Sequence, residues 1–125
     1  MLALSAHTKV YLARQPTDLR KSFRGLIAMT EAVLRQQPDS GHLFVFVNRR
    51  RDLLKILYWD GTGFCIWAKR LERGSFQTPG GTGVDASGQE LSVVQLSLML
   101  QGIDLTTARQ RLRFQRVTAA VPAAS

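Results

Sequence analysis

The sequence predicts an α+β fold, a small and mainly antiparallel sheet with two helices packed on it, in a single domain. Three observations lead there. Leu43–Val47, Leu53–Trp59 and Phe64–Lys69 are apolar runs of strand length, rich in β-branched and aromatic residues. Asp60-Gly61-Thr62-Gly63 joins the last two runs as a hairpin turn. On either side of this block lie two segments, 17–34 and 92–103, whose apolar residues recur at helical spacing.

Taken in order, Thr8–Ala13 alternates, with Val10 and Leu12 on one side and Lys9 and Tyr11 on the other, which predicts a short strand. Gln15-Pro16 ends it. Thr17 or Asp18 then caps a helix whose face is Leu19, Phe23, Leu26, Ile27, Thr30, Val33 and Leu34. Gly25 weakens its middle and suits close packing on the sheet. Pro38-Asp39-Ser40-Gly41 stops the helix. In the second strand of the hairpin block, Ile56 and Tyr58 share one face, and Lys55, Leu57 and Trp59 the other. Such a strand is central, or is covered by a helix on each side. Residues 77–88 read as a loop. Ser92 and Gln95 form a capping box for the second helix, which buries Val93, Leu96, Leu100 and Ile103 and stops at Gly102. The domain is expected to span 1–104. Residues 105–125 read as a basic, flexible tail, with Arg109, Arg111, Arg113 and Arg116 interleaved with Leu112 and Phe114.

At 125 residues and 45% hydrophobic content, the chain can bury one core without staples. Cys65 is the only cysteine, which rules out an internal disulfide, and its apolar neighbours suggest a buried thiol. Seventeen Lys and Arg against nine Asp and Glu give a net charge of +8. The pI is about 10.8. That excess favours a polyanionic partner, nucleic acid first. The N-terminus lacks a secretory signal and no apolar stretch has membrane-spanning length, so a cytoplasmic protein with no membrane partner is expected.

Catalytic constellations are scarce. One cysteine and two histidines exclude a zinc finger. Gly80-Gly81-Thr82-Gly83 lacks the Lys-Ser/Thr of a P-loop. Asp18, Asp52, Asp60 and Glu72 could gather around Mg²⁺ as in a nuclease, but each has a simpler role as cap, turn residue or neighbour of an arginine. A non-enzyme with no cofactor and no metal is the expectation. The cations offer more. Arg49, Arg50 and Arg51 end the first strand of the hairpin block, and Lys69, Arg70 and Arg73 end the third. In an antiparallel order both clusters converge at one end of the sheet. Arg20, Lys21 and Arg24 occupy the first turns of the first helix. Cations there oppose the helix dipole, which invites phosphate contact as an explanation beside a plain solvated face. These nine are the candidate nucleic-acid contacts.

Several segments also carry a resemblance. Thr17-Asp18-Leu19-Arg20-Lys21-Ser22-Phe23-Arg24-Gly25-Leu26 resembles the TDMRKGFDGL segment of TnpB accessory proteins. These are the Orf2-like products of the insertion sequence sixty-six family of bacterial transposable elements. Ser40–Phe46 is similar to that family's SGHVFVF, Arg50–Gly61 to its RRDLIKLLWWDG, Lys69–Phe76 to its KRLERGRF, and Leu96–Asp104 to its LAMLLEGID. Ser22 and Arg24 depart from the pattern, and Arg24 adds positive charge. The resemblance implies a non-catalytic helper of transposition, encoded beside a separate transposase. DNA and that transposase are then the expected partners. A protein-interaction adaptor that does not touch DNA is the alternative, and a metal-dependent nuclease a more distant one.

Overall fold

The computed structural model describes residues 5–79 and 88–102. The elements run β1 (Val10–Ala13), α1 (Phe23–Ala32), β2 (Leu43–Val47), β3 (Leu53–Trp59), β4 (Phe64–Arg70), β5 (Gly88–Leu91) and α2 (Val93–Gln101). They form one five-stranded sheet in the order β4-β3-β2-β1-β5. Only β1 and β2 pair parallel, as their connection through α1 requires; every other neighbour is antiparallel. The expected α+β domain is therefore present.

The helices lie on opposite faces of the sheet, which explains why every residue of β2 is buried. On one face Val10, Leu12, Leu43, Val45, Leu54 and Ile56 pack with Phe76 and with Leu96 and Met99 of α2. On the other, Phe44, Phe46 and Leu57 pack with Leu26 of α1 and with Leu19 and Leu34 beside it. Side chains of this kind contribute about 1.5–3 kcal/mol each when fully buried. The period-2 assignment of β3 holds: Ile56 and Tyr58 lie in the first cluster and Leu57 in the second.

Several expectations are corrected. Helix α1 begins at Phe23 with Ser22 at its N-cap, so Thr17 and Asp18 do not cap it. Asp18 accepts instead from the backbone N–H of Arg20 at 3.1 Å, which turns the chain before the helix starts. Arg20 and Lys21 thus precede α1, and only Arg24 is within it. Phe23 is 46% exposed rather than core. A Cβ at Gly25 would meet the Cβ of Lys21 at 2.8 Å, so the glycine makes room for a neighbouring stem and not for the sheet. In α2 the capping box forms as expected, but Met99 is buried while Val93 faces solvent. Cys65 is only partly buried on β4, packed against the edge of the core. β5 falls partly in the expected loop, and Phe76 is fully buried although its sequence neighbours Ser75 and Gln77 are polar. The expected tail at 105–125 lies outside the described residues.

Candidate nucleic-acid interface

The site grows from the β2–β3 connection. Val47 is the last buried residue of β2, and Asn48 follows at the point where the chain must turn. The Asn48 carboxamide oxygen accepts from the backbone N–H groups of Asp52 and Leu53, both at 3.1 Å. Its amide nitrogen donates to the Asp52 carboxylate at 2.7 Å. This short-range bonding is what asparagine offers a turn. The backbone closes the same loop, with Arg51 N–H donating to Asn48 C=O at 3.0 Å. Arg51 sits in the left-handed region at φ 62°, and Arg49 and Arg50 project from the outer turn, both exposed.

Two further segments meet this loop. Leu53 of β3 pairs with Arg70 of β4, which brings the end of β4 to the start of β3. The Thr17 N–H donates to Val47 C=O at 2.9 Å, which ties the segment before α1 to the end of β2. Between the three lies a groove of about 590 Å³, lined by Arg20, Arg49, Arg50 and Arg70 together with Asp18 and Asn48, and in part by Pro16, Leu19 and Leu53. Thr17 also lines it. Its buried hydroxyl has no protein partner among the described residues.

Two of the four arginines are paired. Arg20 holds Asp18 through two guanidinium nitrogens, the shorter bond 2.7 Å, and these bonds hold the Asp18 carboxyl far below the usual carboxylate range. Arg70 stands 3.9 Å from Asp52. The Asn48 amide, and after it Arg70, lowers the Asp52 carboxyl. Arg49 and Arg50 carry no ion pair among the described residues.

The predicted convergence of the two loop clusters therefore holds for Arg49, Arg50 and Arg70, with Arg20 joining them. The other five candidates lie apart. Arg51 donates from Nε to the Phe76 carbonyl at 2.7 Å, while its own carbonyl accepts from the Phe76 N–H at 2.7 Å. It straps residue 76 onto the loop and borders a separate small pocket with Arg14 and Thr78. Lys69 points to the opposite face of the sheet from Arg70 and donates to the Leu100 carbonyl at 2.8 Å, near the C-terminus of α2. A cation there complements the helix dipole. The Lys21 side chain lies over Gly25, and its carbonyl accepts from Lys55 Nζ at 3.1 Å. Arg24 and Arg73 are exposed and do not line the groove.

Sequence reasoning missed Asn48, the organiser of the loop. Its signal was an asparagine directly after an apolar run. The four acids considered for a metal are not brought together either: among the described residues no three His, Cys, Asp or Glu side chains cluster. Among the same residues no helix is long and apolar enough to cross a membrane.

A small α+β domain with an arginine-walled groove is the class that fold and site define. The profile described as IS66 Orf2-like protein matches residues 8–110, and the chain belongs to that family. This associates it with insertion-sequence transposition. Two relatives come from Sinorhizobium fredii (strain NBRC 101917 / NGR234). Uncharacterized protein y4hO is 39% identical over 104 residues, covering 83% of this chain and 88% of its own. Uncharacterized protein y4jC is 33% identical over 111 residues, covering 89% and 92%. No solved structure matches the chain significantly.

Proposed function

We propose that this protein is a non-catalytic accessory factor of transposition that holds a nucleic-acid backbone in the arginine groove. The observation that carries this reading is the convergence of Arg20, Arg49, Arg50 and Arg70 on one groove from three separate segments. Guanidinium forks suit phosphate oxygens, and the +8 charge of the chain draws in a polyanion from a distance. Arg49 and Arg50 supply the free charge. Arg20 and Arg70 stand at the walls, already oriented by Asp18 and Asp52.

The test is titration of labelled duplex DNA at several salt concentrations with the parent and with an Arg49→Ala/Arg50→Ala variant. Affinity should fall, and the log–log salt slope should become shallower by about 2, roughly one for each phosphate contact removed. Equal affinity and slope in the two proteins would refute the groove as the DNA site. Mg²⁺ or Mn²⁺ added to the same mixtures should leave the DNA uncut, whereas metal-dependent nicking would refute the non-catalytic part.

One observation favours a second reading. Arg20 already grips a carboxylate, so the groove also suits an acidic segment of the transposase. In that case the double variant keeps its DNA binding and loses capture of the transposase.

A further inference from the structure

The two edges of the sheet are unlike. β5 is four residues long, and so short an edge offers little to another strand. β4 is seven residues long, reads Phe-Cys-Ile-Trp-Ala-Lys-Arg, and pairs on its outer side with no strand among the described residues. Its peptide groups can be sorted. Asp60 N–H donates to Gly63 C=O and Leu71 N–H to Asp52 C=O, and both pairs belong to one alternating antiparallel register. Cys65, Trp67 and Lys69 therefore bond to β3. Phe64, Ile66, Ala68 and Arg70 turn their N–H and C=O groups out of the sheet. Such a row is a template for another strand.

We propose that β4 is a self-pairing edge, at which two copies of this chain join antiparallel about a two-fold axis through Trp67 into one continuous sheet. A second copy is the occupant that the strand's own sequence fits. With Trp67 opposite Trp67, Phe64 faces Arg70 of the second copy and Ile66 faces Ala68. All four outward residues are then used. Registers centred on 66 or 68 leave Arg70 or Phe64 without a strand partner. The same register keeps like charges apart, because Lys69 meets Cys65 and Arg70 meets an aromatic ring, a favourable cation–π partner. Charge is complementary along the strand. Lys69, Arg70 and Arg73 lie at or beyond one end, and the Asp60 turn at the other. Antiparallel pairing lays each cationic end beside the other copy's Asp60. The interface is isologous and closes at two copies.

The test uses the full 125-residue chain. Sedimentation velocity over a concentration series should show twice the 13.9 kDa chain mass at the upper end. Ala68→Pro removes an outward N–H that β3 does not use, so it should leave the monomer's circular dichroism unchanged and abolish the dimer. A parent that stays monomeric throughout overturns the proposal. So does a dimer that survives Ala68→Pro, which would move the contact elsewhere, for instance to the exposed Val94 and Leu98 of α2. If Ala68→Pro fails to fold, Lys69→Cys decides. Residue 69 then lies opposite native Cys65 of the second copy, and mild oxidation should yield a reducible covalent dimer. No cross-link in that variant overturns the register and the proposal with it.

Discussion

Asn48 in the β2–β3 connection and Asp60 in the β3–β4 turn each gather backbone N–H groups onto one side-chain oxygen. Asn48 takes those of Asp52 and Leu53. Asp60 takes those of Thr62 and Gly63, both at 2.9 Å, and the Thr62 hydroxyl at 3.0 Å. The rest differs. The Asp60 turn relies on Gly61 at φ 104° and carries no cation. The Asn48 loop places an arginine in the left-handed region and carries three in a row. Chemistry explains the choice of organiser. An aspartate at 48 would set a second anion beside Asp52 and cancel charge where the loop displays it. A neutral amide shapes the turn, holds Asp52 through its N–H and leaves Arg49 and Arg50 without an ion pair among the described residues.

Three predictions break or sharpen this comparison. The largest effect is expected at Asn48. Asn48→Ala removes two accepted hydrogen bonds and one donated to a carboxylate, and should cost about 2–4 kcal/mol in urea unfolding. Asn48→Asp keeps the acceptor but repels Asp52. It should fold less stably than the parent and bind DNA more weakly. Parent-like behaviour in both variants would show that the loop does not depend on its organiser.

Arg51 comes next. Arg51→Ala loses a charge-assisted bond to the Phe76 carbonyl and should cost about 1.5–3 kcal/mol, whereas Arg49→Ala or Arg50→Ala should each change stability by less than about 0.5 kcal/mol. Thermal melts of the three single variants separate the roles.

Acid tests the other turn and gives the smallest effect. The N–H groups of Thr62 and Gly63 and the Thr62 hydroxyl pull the Asp60 carboxyl down to about 2. A carboxyl depressed on folding contributes stability that is complete above its unfolded value near 4 and is lost as pH falls through the folded one. The Tm gap between the parent and Asp60→Asn should therefore be constant above about pH 4 and narrow toward about pH 2. A constant gap down to pH 2 would mean that the carboxylate's charge contributes nothing to this turn.

The meander β2-β3-β4 was legible because apolar strand-length runs met an Asp-Gly turn, a local signal. β5 was not, since Gly88-Gln89-Glu90-Leu91 has no strand composition and is held in place by β1 across the chain. The start of α1 was misread because Thr17-Asp18 looks like a cap, whereas Asp18 is drawn to Arg20 instead. In the groove, antiparallel order sufficed to bring Arg49, Arg50 and Arg70 together. Lys69 could have been set apart by strand parity alone, since it is the neighbour of Arg70 and must face the other way. The role of Arg51 was hidden, because it rests on a left-handed backbone and on a carbonyl 25 residues away.

The position of β1 inside the sheet bears on how the chain is made. Val10 pairs with Leu43 on one side and with Leu91 on the other. The meander needs only neighbours in sequence, while β1 must wait for both distant partners, a slower kind of contact to close. Synthesis runs from the N-terminus, so the arginine groove can assemble once Arg70 has emerged and β1 has docked on β2. The face that α2 covers, with Val45 and Ile56 at its centre, stays open until Met99 is added. Between the emergence of Arg70 and that of Met99 the chain thus carries a groove-forming half whose opposite side is still bare.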